Sequence, residues 1–194
     1  MTLPVARKDA SASKAWLRAL EMTARIEDAP RRTFPAVIEE LGARFGDAPA
    51  LIGLPQQYSH AQLAARANQF ARWGLAQNIR KGDTVCLLMP NACDYLAIWL
   101  GLTRIGAVVA LLNTNLKGEA LAHSIAVAAP THIIAAEFWS HNLTTTAQLW
   151  HYGEAFRRLL EDFSGAALAE NFSRRITAPP PSSTAPEATT PPTL

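Results

Sequence analysis

Apolar positions recur first at helical spacing and then in short unbroken runs, and that change of period sets the expected order of elements. In residues 12–28, Trp16, Leu17, Leu20 and Met22 recur at roughly helical spacing, with Lys14, Arg18 and Glu21 between them. This predicts an amphipathic helix. Such a helix packs on the domain or lies on a membrane surface, and its thin basic face favours packing. Residues 33–45 carry a second apolar stripe, Phe34, Val37, Ile38, Leu41 and Phe45. Thr33 is placed to cap that helix, and Pro35 falls in its first turn, where a missing N–H costs nothing. Residues 50–53 and 56–58 predict a short hairpin or edge strand. Ser59 and Gln62 have the spacing of a capping box, and Leu63, Ala67, Phe70, Ala71 and Leu75 line the buried face of the helix that follows.

The period then changes. Residues 84–89 are a continuous apolar run, which suits a strand covered on both faces. Pro90 ends it, and Asn91 is placed to cap a helix running to Ile105 that buries Tyr95, Ile98, Trp99 and Leu102. Residues 108–112 predict a second buried strand, 117–127 another helix ended before Pro130, and 132–136 a third strand. Beyond Glu137 the pattern weakens, with a helix expected within 150–163. Strands alternating with helices imply right-handed crossovers and a mainly parallel sheet flanked by helices, an α/β fold.

Composition sets the limits. Residues 177–194 contain only Pro, Ala, Ser, Thr, Glu and Leu, six of them Pro. A segment so poor in apolar side chains is expected to be disordered. The division expected is a helical extension over 1–29, one α/β domain over 30–176 and a tail over 177–194. The net charge of +2, without a basic cluster interleaved with aromatics, argues against a nucleic-acid partner. Cys86 and Cys93 lack disulfide or metal spacing and are expected to be reduced and buried. Residues 1–10 show no apolar signal core. The apolar stretch 95–112 contains Arg104 and is interrupted by Gly101 and Gly106, which argues against a membrane span. The expected location is therefore cytoplasmic.

Candidate chemistry is sparse. His60, His123, His132, His141 and His151 have no metal-ligand spacing, and helix starts or packing account for His60 and His123. Asp83 and Asp94 stand without an identifiable partner. Trp16, Tyr95 and Trp99 read as core aromatics. Asn113 and Asn115 fall at the carboxyl end of a predicted strand, the edge where open α/β sheets bind ligands. They either shape a substrate cleft or simply form a turn. No dinucleotide-binding or P-loop string supports an unrelated nucleotide-binding fold.

The run Thr84-Val-Cys-Leu-Leu-Met-Pro-Asn91, then Tyr95-Leu-Ala-Ile-Trp-Leu-Gly-Leu-Thr-Arg-Ile-Gly-Ala-Val108, resembles the N-terminal domain of AMP-forming acyl-CoA synthetases. Upstream, Tyr58-Ser59-His60-Ala61-Gln62-Leu63 resembles the start of that family's preceding helix. The string Leu112-Asn-Thr-Asn-Leu-Lys-Gly118 with Leu121-Ala-His-Ser-Ile125 is similar to the fatty-acid transport protein and very-long-chain acyl-CoA synthetase branch. The resemblance covers roughly residues 30–137, with a fainter echo at 149–153 and 163–168. It implies a family reaction in two steps, fatty acyl adenylation by ATP with Mg²⁺ and then transfer to CoA. It also implies long acyl chains and peripheral membrane contact. The family's Gly/Ser/Thr-rich phosphate loop and lysine are due soon after Arg175, where the Pro/Ser/Thr/Ala tail stands instead, as a shifted reading frame would produce. Asn142-Leu-Thr-Thr-Thr146 lacks the glycines and the lysine. The expectation is therefore a partial N-terminal domain of the acyl-CoA synthetase fold, inactive alone, with no catalytic residue and no productive binding of ATP, Mg²⁺ or CoA. The competing expectation is a non-catalytic module that binds acyl chains or a protein partner.

Overall fold

A computed structural model describes residues 11–28, 33–53, 56–141 and 143–168, and of residues 23–28 the backbone alone. The expected tail lies outside the described residues. Helix α1 (Ala12–Asp28) is followed by α2 (Phe34–Phe45) and an antiparallel hairpin of β1 (Pro49–Ile52) and β2 (Gln57–Ser59). Then come α3 (His60–Ala76), β3 (Thr84–Leu88), α4 (Cys93–Arg104), β4 (Val108–Leu111), α5 (Gly118–Ala128) and β5 (His132–Ala136). The short α6 (Glu137–Ser140), β6 (Gln148–Tyr152) and α7 (Glu154–Glu161) complete the order.

The sheet is β4-β3-β5-β6 and parallel throughout. Alternation along β3 explains why the sheet is covered on both faces. Val85 and Leu87 join one apolar cluster with Phe70, Trp73, Leu100, Leu102 and Ile134, beneath α3, α4 and α7. Cys86 and Leu88 join the other, with Ile133, Ala135, Leu121 and Ile125 beneath α5. A strand buried on both faces needs no polar alternation, so the unbroken run at 84–89 is what this position demands.

Helices α3 and α4 cross closely because of two glycines. A Cβ at Gly101 would lie 2.4 Å from the Ala67 carbonyl oxygen and 2.7 Å from Phe70 Cβ; one at Gly74 would lie 2.8 Å from Leu102 Cδ2. The capping box forms: the Gln62 N–H donates to Ser59 Oγ at 3.2 Å, and the Ser59 N–H to Gln62 Oε1 at 2.9 Å. Donors on α3 and α4 then hold the segment after α7. Gln69 Nε2 reaches the Phe163 carbonyl, Arg72 the Ser164 carbonyl, Asn68 Nδ2 the Gly165 carbonyl and Arg104 the Leu168 carbonyl. Arg104 also pairs with Glu39 at 3.3 Å, which accounts for a cation inside the apolar stretch. Among the described residues no helix is long and apolar enough to cross a membrane. Both cysteines are free and buried, as expected.

Four expectations are corrected. Helix α1 forms, but its residues Ala12 to Met22 are all exposed, and Trp16 is 67% exposed rather than a core aromatic. Strand β4 is outermost in the sheet and only half covered, with Val108 and Leu111 exposed, so it is not a buried strand. Residues 150–152 belong to β6, and the helix begins only at Glu154. The N-cap of α4 is Ala92, not Asn91, and it makes no side-chain cap.

Candidate functional site

The four parallel strands end at one edge, where Leu88, Leu111, Ala136 and Tyr152 give way to connecting segments. Asn113 and Asn115 lie here, both exposed, in the turn after β4. Asn113 Oδ1 accepts the Asn115 N–H at 2.9 Å, and the Asn113 carbonyl accepts the Leu116 N–H at 3.1 Å. The Asn113 side chain thus closes its own turn, a common use of asparagine. Trp139 of α6 donates its indole N–H to the Thr114 carbonyl at 3.2 Å, tying together the segments that follow β4 and β5, the strands flanking β3. At the same edge, Nδ1 of His151 lies 2.7 Å from Ser140 Oγ, which donates to the Glu137 carbonyl. The rings of His141 and His151 sit 6.0 Å apart. Ser140 is buried and its hydroxyl is engaged, so it offers no accessible nucleophile. Among the described residues no group of three or more His, Cys, Asp or Glu is arranged to hold a metal.

The most heavily bonded side chain is one the sequence left without a partner. Asp94, in the first turn of α4, is fully buried. Its Oδ1 accepts the Tyr58 hydroxyl at 2.6 Å and Arg66 Nε at 3.0 Å; its Oδ2 accepts the Tyr152 hydroxyl at 2.5 Å and an Arg66 Nη at 3.1 Å. Burial alone would raise the Asp94 pKa. The Arg66 guanidinium and the two phenols outweigh it and hold the carboxyl below its ordinary value. Burial and the carboxylate together push the Tyr58 and Tyr152 phenols far up, so both stay protonated and donate. A negative charge in the first turn also complements a helix start that has no side-chain cap. Asp83 likewise finds a partner, accepting the Arg80 N–H at 2.7 Å in the turn before β3.

Beside this network, between α3 and α7, opens a cleft of about 510 Å³ lined by Tyr58, Gln62, Arg66, Gln69, Arg157 and Glu161, among others. Neither Asn113 nor Asn115 lines it. A smaller pocket of about 240 Å³ lies against the hairpin and the start of α4, with Leu51, Ile52, Cys93 and Leu96 in its wall.

Comparison with known proteins identifies the frame. Residues 38–187 match the model of the AMP-binding enzyme family. Over 78 residues the chain is 37% identical to long-chain fatty acid transport protein 6 of Mus musculus, a stretch that is 40% of this chain and 13% of that protein. Over 86 residues it is 36% identical to the crotonobetaine/carnitine–CoA ligase of Salmonella paratyphi B, 42% of this chain and 17% of the relative. The N-terminal subdomain of Klebsiella oxytoca NpsA superposes with a TM-score of 0.60 at 20% identity, covering 70% of this chain and 34% of that one. VinN in complex with L-aspartate superposes at 0.65 and 22%, covering 70% and 40%. At those identities the solved structures speak for the fold alone. The chain spans well under half the length of each of these proteins.

Proposed function

Because the chain belongs to the AMP-binding enzyme family, we propose that it is the N-terminal part of the AMP-binding domain of a fatty acid–CoA ligase acting on long- or very-long-chain acids. In such a ligase a carboxylate is activated by ATP with Mg²⁺ and the acyl group is then passed to CoA. The part represented here supplies a scaffold, not the chemistry. The observation that carries this reading is the donor set at the carboxyl edge of the sheet. Holding a triphosphate takes a glycine-rich backbone cradle or converging cations. At this edge the Asn113 carbonyl arm is engaged in its own turn, Ser140 and His151 are bonded to each other, and no cluster is arranged for a metal among the described residues. These residues do not fit Mg²⁺-ATP. On this reading Asn113 and Asn115 form the turn after β4 rather than bind a reacting group. Residues 1–29 act as an extension to the domain and 177–194 as a tail.

Titration with a fluorescent ATP analogue in the presence of Mg²⁺ tests the proposal. No saturable binding is expected; a well-defined site of micromolar affinity would contradict it. The apolar-walled pocket by Leu51, Ile52 and Leu96 favours a second reading, a non-catalytic acyl-binding module. That reading requires saturable fatty-acid binding that is indifferent to ATP, and failure of a fatty acid to bind removes it.

A further inference from the structure

Strand β4 ends the sheet, and among the described residues it pairs with β3 alone. The Val108 N–H donates to the Asp83 carbonyl at 2.8 Å and the Leu112 N–H to the Leu87 carbonyl at 3.0 Å. Backbone groups alternate in direction along a strand, so those of Val108, Ala110 and Leu112 face β3 and those of Val109 and Leu111 face outward. The outward N–H and C=O groups meet no partner among the described residues. Side chains alternate as well. Val109 lies with the apolar cluster beneath α3, α4 and α7, and Ala110 with the cluster beneath α5. Leu111 therefore falls on the first face and Val108 on the second, and they are 44% and 54% exposed, so both faces of the sheet are open at this border. The usual protections of an edge are missing here. From Ile105 to Leu116 the chain has no charged residue and no proline, and β4 follows β3 from Val108 to Leu111 without a bulge. The opposite border differs: β6 carries Gln148 and His151, and the His151 ring is held against Ser140 Oγ.

We propose that β4 is the contact edge for a second copy of this chain, joined antiparallel about a two-fold axis through Ala110, so that the two sheets run on as one. In that register Val109 stands opposite the partner's Leu111, and Leu111 opposite the partner's Val109. Residues so placed exchange both of their N–H···O=C bonds, which satisfies the outward groups of both strands. Between them Ala110 meets the partner's Ala110 at a non-hydrogen-bonded position, where strands approach to about 4.5 Å between Cα atoms and a small side chain fits. Leu111 covers the partner's Val109 on one face of the joined sheet, and Val108 meets the partner's Leu112 on the other. A two-fold contact sets a surface against its own image, so it requires an edge that does not repel itself, and the uncharged run from Ile105 to Leu116 meets that requirement. A charged peptide is the less suitable occupant, because that run offers it no counter-charge. None of this depends on the ligase reading.

Sedimentation of the full chain across a wide concentration range tests it, since an edge this short buries little area and holds two copies weakly. The parent is expected to pass from monomer to dimer as concentration rises. Leu111→Lys sets a charge on the edge and should weaken the dimer about tenfold or more. Val109→Pro removes an outward N–H while keeping the bonds to β3, and should weaken it comparably. Val127→Lys, on the outer side of α5 where Val127 is 72% exposed, should leave the dimer unchanged. Both edge variants should keep the unfolding midpoint that the parent shows as a monomer. The register is read by Ala110→Cys, which should form an intermolecular disulfide under mild oxidation, because a non-hydrogen-bonded pair holds its Cα atoms within disulfide reach. Cys86 and Cys93 are buried and do not compete. A parent that stays monomeric at every concentration overturns the proposal. So does a dimer undiminished in Leu111→Lys and Val109→Pro, or one that Ala110→Cys fails to cross-link. The cross-link decides on its own if an edge variant unfolds.

Discussion

Asp94 joins three parts of the chain that are remote in sequence: Tyr58 at the hairpin, Arg66 on α3 and Tyr152 at the end of β6. A buried carboxylate is tolerable only when its charge is paired and its lone pairs are filled, and here both conditions are met. Asp94→Ala leaves a guanidinium with a 14% exposed side chain and two phenols without their acceptor. Urea unfolding should register a loss of about 3–5 kcal/mol. Tyr152→Phe removes one hydrogen bond to a charged group and should cost about 1.5–3 kcal/mol. The pH dependence follows from the directions of the shifts. Asp94 is held below its ordinary value, so its contribution is complete above about pH 4 and fades as pH falls through the lowered folded value. The two phenols are pushed up, and burial pushes the Cys86 thiol up to about 11. Their contributions are complete below about pH 8.5 and are lost as pH rises. Burial holds His132 below its ordinary value, so stability also falls as pH drops below about 6.5. Unfolding followed across pH should therefore show greatest stability between about pH 6.5 and 8.5, and Asp94→Asn should flatten the steeper loss below about pH 4. None of this was legible in the sequence. The partners of Asp94 lie 28, 36 and 58 positions away, and no local spacing marks them.

At the scale of elements, legibility followed burial. β3 and β5 are covered on both faces, so their apolar runs stand out from the polar turns around them. β6 was missed because Gln148-Leu-Trp-His-Tyr152 mixes polar and aromatic residues at the border of the sheet and runs almost directly into α7. What identifies it is its pairing: Ile134 opposite Trp150 and Ala136 opposite Tyr152. Trp73, fully buried, was likewise unforeseen; it packs edge-on to Trp150 and Phe156 with ring centroids 5.2 and 4.9 Å away, a cluster assembled from α3, β6 and α7. The α3–α4 crossing was marked by Gly101, although that residue first reads as an interruption of an apolar run. A methyl group there meets the backbone of α3 at 2.4 Å, and backbone cannot rotate away. Gly101→Ala should destabilise by about 1–3 kcal/mol or more, read as a lowered thermal midpoint, because it must push the two helices apart.

At the scale of the whole molecule, the described residues form a four-stranded parallel sheet layered by helices, with a two-stranded hairpin beside it; residues 38–187 match the AMP-binding enzymes, and the chain spans less than a fifth of its curated relatives cited above. The fold class and the family were both legible, because strand and helix periods and the run from Thr84 to Val108 encode them locally. The candidate site was legible only as an edge: Asn113 and Asn115 do sit at the carboxyl end of β4, in a turn that Asn113 closes. The central proposal is that this chain carries part of a ligase scaffold and lacks adenylating activity by itself. ATP–pyrophosphate exchange by the purified chain, with a long-chain fatty acid and Mg²⁺, addresses it directly. The account predicts exchange no faster than a protein-free control; fatty-acid-dependent exchange above that control would contradict it.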